Sequence, residues 1–229
     1  MSGAPTITRV EPLKPRGLRV RLHLSRGEPL EITLEALEHQ RLGVGDSLSE
    51  NARHHLLNAD ADVRVRDAAL NLLSFRARTR AELRKKLREK GFRPARIDAC
   101  LDRLQAKGFL DDAAVAAAFV RDRLRHRPRG PARLNTELRA KGVSGDLAQS
   151  VIDDVLQEAE VTELDLAVEV AEGWVRRQSD AVRQALNAPG RDPAREKARR
   201  RLYGFLTRRG FRGEALQAGM AHATDLAGR

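Results

Sequence analysis

The stretch Thr79–Leu104, TRAELRKKLREKGFRPARIDACLDRL, sets the pattern that much of the chain follows. Leu83 and Leu87 stand four residues apart and therefore share one face of a helix. Gly91 is placed to end that helix, because glycine readily adopts the left-handed backbone conformation found at helix ends. Pro94 then opens the next helix. The stretch predicts two short helices joined at a glycine.

The same pattern returns around Gly142 and Gly210. In all three copies leucines stand eight and four residues before the glycine, and apolar residues follow it by six and ten. Such a recurrence indicates stacked helical repeats, in which each unit buries its apolar stripe against its neighbours. The alternative, three unrelated amphipathic helix pairs, accounts less well for the matching offsets.

The N-terminal part of the chain has a different periodicity. Residues 18–24 and 29–34 alternate apolar and polar side chains, which is typical of half-buried strands. Arg26-Gly27 forms a turn signal between them, and residues 6–11 supply a third β-like run. We therefore expect a β-hairpin with one additional strand.

These patterns predict a mainly α fold of three tandem three-helix repeats behind a small N-terminal region that contains the β-hairpin. A short helix ending near Leu57 is expected in that region, and a separate lead helix is expected to start the first repeat. The predicted regions are 1–59 for the β-rich N-terminal part, 60–112 for the first repeat, 113–160 for the second and 161–229 for the third.

Composition restricts the class of protein. The longest apolar runs fall well short of the roughly 20 residues that a membrane-spanning helix needs. The first ten residues contain no apolar signal segment, so we expect a cytoplasmic chain, and a monomer with no membrane partner. The single cysteine, Cys100, excludes an internal disulfide framework and is interpreted as a small core residue.

Charge is strong and unevenly placed. The formal net charge is +11, and basic residues exceed acidic ones by 12 to 4 in residues 75–110, by 8 to 2 in 121–141 and by 9 to 2 in 191–212. Residues 142–175 instead hold nine acids and no lysine or arginine. A basic excess of this kind favours a polyanionic partner such as nucleic acid. The alternative is a solvated surface whose arginine content reflects coding bias.

Chemistry-bearing motifs are missing from the sequence. It has no phosphate-binding Gly-x-x-x-x-Gly-Lys-Ser/Thr loop, no Cys-x-x-Cys and no His-Glu-x-x-His, so we predict no catalytic residue, no cofactor and no metal ligand. What the sequence does offer is binding surface, since Arg80, Arg84 and Arg88 recur every four residues along one helix face. The candidate binding residues are Arg76, Arg78, Arg80, Arg84, Lys85, Arg88, Arg127, Arg129, Arg133, Arg199, Arg200, Arg208 and Arg209.

The residues from about Ala68 to Leu156 resemble the bacterial regulatory protein RecX family. The resemblance rests on Arg78-x-x-x-Glu82-Leu83, Lys90-Gly91, Leu104, Gly108, Asp111-Asp112 and Glu137-Leu138-x-x-Lys141-Gly142. The third repeat departs further, because its lead-in is longer and Arg209-Gly210 stands where the others have Lys-Gly.

The resemblance implies an elongated array of three-helix repeats that binds the RecA filament on single-stranded DNA, in its groove. It further implies inhibition of ATP hydrolysis, coprotease activity and strand exchange by RecA, with no catalysis by the modulator. Two other hypotheses stay open. The first is a DNA-binding module that contacts phosphates of single-stranded or double-stranded DNA without sequence preference, and the second is an enzyme with an unrecognised site.

Overall fold

A computed structural model describes residues 3–14 and 17–228 of the chain. Within those residues three strands and eleven helices are present. The strands are β1 Ile7–Pro12, β2 Arg19–Leu24 and β3 Leu30–Thr33. The helices are α1 Leu34–His39, α2 Glu50–Phe75, α3 Arg80–Glu89, α4 Pro94–Ala106, α5 Asp112–His126, α6 Pro131–Ala140, α7 Gly145–Glu158, α8 Glu163–Arg176, α9 Asp180–Asn187, α10 Pro193–Arg208 and α11 Gly213–Ala227.

The three strands form one antiparallel sheet in the order β1-β2-β3, in which β2 and β3 are the predicted hairpin and β1 is the additional strand. Val20 and Leu22 point to the same side of β2 and are almost fully buried, because residues two apart in a strand share a face. Ile7 and Ile32 join them in a core that α1 and the start of α2 complete.

Helix α2 differs from the prediction. One continuous helix of 26 residues replaces the expected short helix and separate lead helix, so the predicted boundary at 59/60 falls inside it. The run around Asp60 contains no glycine or proline that would stop a helix. Asp60 is itself buried and accepts a hydrogen bond from the Thr33 amide at 2.7 Å, which fastens the sheet to the middle of α2.

The glycine joints are confirmed in all three copies. Gly91, Gly142 and Gly210 have φ values of +85°, +82° and +93°. In each copy the residue after the glycine donates its amide to the carbonyl of the leucine five positions earlier, which closes the preceding helix. The six leucines of the pattern are fully buried; they are Leu83, Leu87, Leu134, Leu138, Leu202 and Leu206.

The chain forms two compact units. The first consists of the described residues through Arg78 together with Leu83–Leu110, and the second consists of Thr79–Glu82 together with the described residues from Asp111 onward. The second unit has one apolar core among α5, α6 and α7 and another among α8 to α11. Helix α9, which the repeat pattern does not predict, occupies the longer lead-in of the third copy and buries Leu186.

Candidate functional site

The candidate residues near α3 are only partly available for a ligand. Arg84 pairs with Asp98 at 2.8 Å, and Arg78 donates from Nε to the Leu72 carbonyl at 3.1 Å. Lys85 and Arg88 are exposed, and no carboxylate of the described chain pairs with either one. Of the two remaining candidates here, Arg76 is exposed in the α2–α3 connection, and Arg80 is half-buried in the first turn of α3. The predicted basic face is therefore present, but Arg84 is neutralised within it.

A second group of candidates converges in the second unit. Arg127 and Arg129 lie in the connection between α5 and α6, Arg133 lies in the first turn of α6, and Arg208 and Arg209 lie at the end of α10. With Phe205 these five arginines line a cavity of about 380 Å³, which we call the arginine pocket. Arg199 and Arg200 lie further toward the N-terminus of α10 and outside the pocket lining.

The pocket is built on a contact that occurs twice in the second unit. The first occurrence is the Lys141 elbow, where the α6–α7 joint at Lys141-Gly142 meets the segment Thr79–Glu82. Thr79 donates from Oγ1 to the Lys141 carbonyl at 2.6 Å, and Lys141 Nζ lies 3.1 Å from Glu82 Oε1. Thr79 and Glu82 also exchange hydrogen bonds with each other's backbone amides, which caps α3.

The second occurrence is the Arg209 elbow, where the α10–α11 joint at Arg209-Gly210 meets the α5–α6 connection. The Gly130 amide donates to the Arg209 carbonyl at 2.9 Å, and Arg209 Nη1 donates to the Pro128 carbonyl at 3.2 Å. Glycine is required at 210, since a Cβ there would lie 2.5 Å from the Arg133 amide nitrogen. In both elbows the carbonyl before the glycine therefore accepts a hydrogen bond, from the Thr79 hydroxyl in the first and from the Gly130 amide in the second.

One carboxylate forms ion pairs with three guanidinium groups beside the pocket. Glu137 pairs with Arg123 at 3.3 Å, with Arg133 at 2.9 Å and with Arg129. Burial lowers the pKa of Arg129 below its ordinary value, and the neighbouring arginines, led by Arg123 and Arg133, lower it further. Burial likewise lowers the pKa of Arg209, and Arg177 and Arg127 add to the effect. Positive charge at this place is crowded and incompletely neutralised.

Sequence reasoning missed several members of this arrangement. It assigned no role to Arg123 or Phe205, and it used Glu137 and Lys141 only as family residues. Glu82 was predicted to form a capping box with Thr79, which the structure confirms. The equivalence of Lys141 and Arg209 in the repeat could have been predicted, because both residues directly precede the repeat glycine. The partners that each residue contacts depend on tertiary packing, and no local sequence pattern predicts them.

A cavity of about 540 Å³ in the first unit has a different character. His39, His55, Arg66 and Cys100 are among the residues that line it. Cys100 is buried as predicted, and burial raises the pKa of its thiol, which disfavours the nucleophilic thiolate. Arg66 is occupied by a two-pronged ion pair with Glu35. Among the described residues, no three His, Cys, Asp or Glu side chains are grouped to hold a metal ion.

Two three-helix parts of the chain match descriptions of a known protein family. Residues 66–104 match the family description "RecX, first three-helix domain", and residues 111–152 match "RecX, second three-helix domain". A "Regulatory protein RecX" of Halorhodospira halophila is 39% identical over 161 residues, which are 70% of this chain and 89% of the relative. The chain belongs to the RecX family. A further member, from Mycobacterium avium, is 37% identical over 64% of this chain and 77% of its own length.

Solved RecX structures share the fold. The structure titled "Crystal structure of regulatory protein RecX" superposes with a TM-score of 0.69 at 25% identity, covering 93% of this chain and 97% of the other. RecX from Lactobacillus salivarius gives a TM-score of 0.57 at 23% identity over 73% of this chain and 99% of the other, a likeness of fold alone. In the part of this RecX-family chain that the structure describes, no helix is long and apolar enough to cross a bilayer.

Proposed function

We propose that this RecX-family chain is a negative modulator of the RecA recombinase. It binds the RecA filament on single-stranded DNA in the filament groove and inhibits ATP hydrolysis, coprotease activity and strand exchange. The chain performs no bond-making chemistry of its own in this proposal. Family membership supports the regulatory role, and the resemblance in residues 68–156 supplies RecA as the target.

The observation that carries the proposal is the arginine pocket, where five guanidinium groups surround one cavity. Guanidinium groups suit bidentate contacts with phosphates and carboxylates, both of which a nucleoprotein filament presents. The exposed Lys85 and Arg88 give the first unit a separate basic surface. The acidic run 142–175 adds a surface of opposite sign, which suits a partner that carries both charges.

The direct experiment measures ATP hydrolysis by RecA on single-stranded DNA with and without this protein. We expect inhibition at amounts below one modulator per RecA protomer, because one bound molecule affects the filament beyond its own contacts. The double substitution Lys85→Gln and Arg88→Gln should weaken inhibition several-fold. Neither residue has a carboxylate partner in the described chain, so the fold should be unaffected.

A matched control removes the same charge elsewhere in the first unit. Arg103→Gln with Lys107→Gln changes two exposed basic residues of the α4 end and should leave inhibition near the wild-type level. Equal loss in both double variants would mean that only total charge matters. Wild-type protein without effect on RecA turnover would end the proposal.

The alternative function is sequence-independent DNA binding without a protein partner, which the arginine pocket also favours. The salt dependence of binding distinguishes these two functions. The affinity of a pure phosphate binder for single strands falls steeply with salt, with a logarithmic slope of about −0.7 per phosphate contacted. A modulator that also contacts protein retains inhibition at salt concentrations that release free DNA.

A further inference from the structure

The lining of the arginine pocket is electrostatically incomplete. It consists of five arginines and one phenylalanine, and no acidic side chain of the described residues is among them. Arg127 and Arg208 are exposed, and no carboxylate of the described chain pairs with them. The nearby Glu137 is already shared by three arginines. Several like charges held together on one cavity cost free energy unless an anion offsets them.

The Lys141 elbow shows what a completed version of the same contact looks like. A shift of 51 residues, the spacing of Gly91 and Gly142, places Glu82 in register with Arg133. A shift of 68 residues, the spacing of Gly142 and Gly210, places Lys141 in register with Arg209. Glu82 supplies the carboxylate that neutralises Lys141. At the equivalent position beside Arg209 the chain has Arg133, which is a cation. The Arg209 elbow lacks an internal anion at the position where its counterpart has one.

One nitrogen of Arg129 also lacks a partner, although the guanidinium pairs with Glu137. Its Nε is buried and has no hydrogen-bond partner in the described structure. Buried polar atoms without a hydrogen-bond partner are uncommon in folded proteins unless a ligand or an ordered water accounts for them. Burial lowers the pKa values of Arg129 and Arg209, and neighbouring arginines lower both further.

We propose that the arginine pocket is a phosphate-binding site that takes a backbone phosphodiester of single-stranded DNA. A phosphate suits it better than a carboxylate does. The five guanidinium groups come from two segments, the α5–α6 region and the end of α10, so they approach from different sides. A carboxylate offers two oxygens in one plane, whereas a phosphodiester offers two non-bridging and two ester oxygens arranged tetrahedrally, so donors can approach it from different sides. The assignment to DNA rests on the proposed function, but the phosphate chemistry does not.

The test compares two double variants of the full-length chain. Arg127→Gln with Arg208→Gln removes two exposed pocket residues, and Lys197→Gln with Arg201→Gln removes two exposed residues of α10 outside the lining. Both variants lose the same charge. Arg201 is seven residues from Arg208, or about 10 Å along the helix at roughly 1.5 Å per residue.

Two probes report on the pocket without RecA. Inorganic pyrophosphate is titrated against thermal unfolding, and a fluorescent oligothymidylate is titrated by anisotropy at several salt concentrations. We expect the pocket variant to bind the oligonucleotide at least 10-fold more weakly, while the control variant loses less than 3-fold. The salt slope of the pocket variant should be smaller by about 0.7 for each phosphate that the variant no longer binds. Stabilisation by pyrophosphate should persist in the control and disappear in the pocket variant.

A third variant moves affinity in the opposite direction. Glu137→Gln removes the carboxylate that competes with a ligand for Arg129 and Arg133. We expect oligonucleotide affinity to rise about 3-fold or more, provided circular dichroism shows a folded protein. A general decrease in binding after this substitution would contradict the pocket assignment.

Three further results would overturn the pocket, the assignment to DNA or the assignment to phosphate. Equal weakening in both double variants would overturn the pocket, because only the overall field would then matter. Pocket-dependent binding of pyrophosphate without pocket-dependent binding of oligonucleotide would overturn the assignment to DNA. If a polyglutamate peptide displaces both probes and inorganic phosphate displaces neither, the pocket binds an acidic protein segment and the assignment to phosphate is overturned.

The recombinase assay keeps this inference apart from the proposed function. A wild-type chain that fails to inhibit RecA but binds oligonucleotide through the pocket would refute the modulator role alone. A chain that inhibits RecA while the pocket variant binds both probes like wild type would refute the phosphate site alone.

Discussion

The Lys141 elbow and the Arg209 elbow are two versions of one contact with opposite electrostatic outcomes. In both, a helix ends at a left-handed glycine, and the residue before the glycine receives a hydrogen bond from an earlier connection. Glu82 neutralises the cation of the first elbow, whereas Arg133 adds another cation to the second. Backbone geometry has been kept while side-chain charge has changed sign. A repeat array can thus hold one joint for stability and leave its copy available for a ligand.

The largest expected effect comes from the glycines that make both elbows close-packed. A Cβ at Gly142 would lie 2.1 Å from the Ala81 Cβ, and one at Gly210 would lie 2.4 Å from the Arg133 Cβ. Either alanine substitution should lower the free energy of unfolding by about 3 kcal/mol, combining left-handed strain with overpacking. Urea denaturation followed by circular dichroism measures the loss.

Gly91 is the matched control for these substitutions. Its φ is also positive, but a Cβ there would meet nothing within 4 Å, so Gly91→Ala should cost only about 1 kcal/mol of backbone strain. Adding Ala81→Gly to Gly142→Ala should restore part of the stability, because the clash involves the Ala81 side chain. Equal losses at Gly91 and Gly142 would show that close packing at the elbow contributes nothing.

A smaller effect is expected from exchanging the charges of the two elbows. Glu82 is 19% exposed and Lys141 28% exposed at the side chain, so their pair is largely withdrawn from water. Glu82→Arg should destabilise the chain by about 2 kcal/mol, because it breaks the pair and places two cations together. Thermal or urea unfolding would measure the change, and Glu82→Gln should lose about half as much.

The reciprocal substitution sharpens the comparison. Arg133→Glu would place a carboxylate at the position that Glu82 holds in the other elbow, within the field of the pocket arginines. Stability should stay within about 1 kcal/mol of wild type, since the reduced crowding of cations offsets the loss of the half-exposed Arg133–Glu137 ion pair. If Arg133→Glu destabilises as strongly as Glu82→Arg, the two elbows are not electrostatic counterparts.

The repeats were predictable because their signals are local. Each joint depends on a glycine and on leucines within eight residues of it, and these positions fix helix ends and buried faces in any compact arrangement. The arginine pocket was not predictable in the same way. Arg127 and Arg208 are 81 residues apart in sequence, and only the packing of one elbow brings them to the same cavity.

The prediction for α2 failed for a related reason. Residues 50–75 were divided into a short helix ending near Leu57 and a separate lead helix, although no glycine or proline lies among them. In the structure Asp60 is buried on the Thr33 amide, so a polar residue marks a contact between α2 and the sheet. Sequence patterns assign polar side chains to the surface by default, and tertiary hydrogen bonds override that default.

The smallest expected effect concerns the aromatic rings beside the two elbows. Lys141 Nζ lies 5.2 Å from the centre of the Phe119 ring, and Arg123 lies 4.4 Å from it. The Phe205 ring supports Arg209, whose guanidinium lies 5.1 Å from the ring centre. Phe119→Leu should remove two cation–π contacts and cost about 1 kcal/mol, whereas Phe205→Leu should cost about 0.5 kcal/mol. Urea unfolding of both variants would measure the difference.

Double-mutant cycles separate this attraction from the loss of ring packing. Phe119→Leu combined with Lys141→Met should show a coupling energy of about 0.5 kcal/mol, and Phe205→Leu combined with Arg209→Met should show a similar value. Zero coupling at Phe119 with clear coupling at Phe205 would mean that Glu82 alone holds Lys141 in place. The aromatic ring would then be a feature of the Arg209 elbow, where no carboxylate of the described residues forms an ion pair with Arg209 and the guanidinium depends on weaker partners.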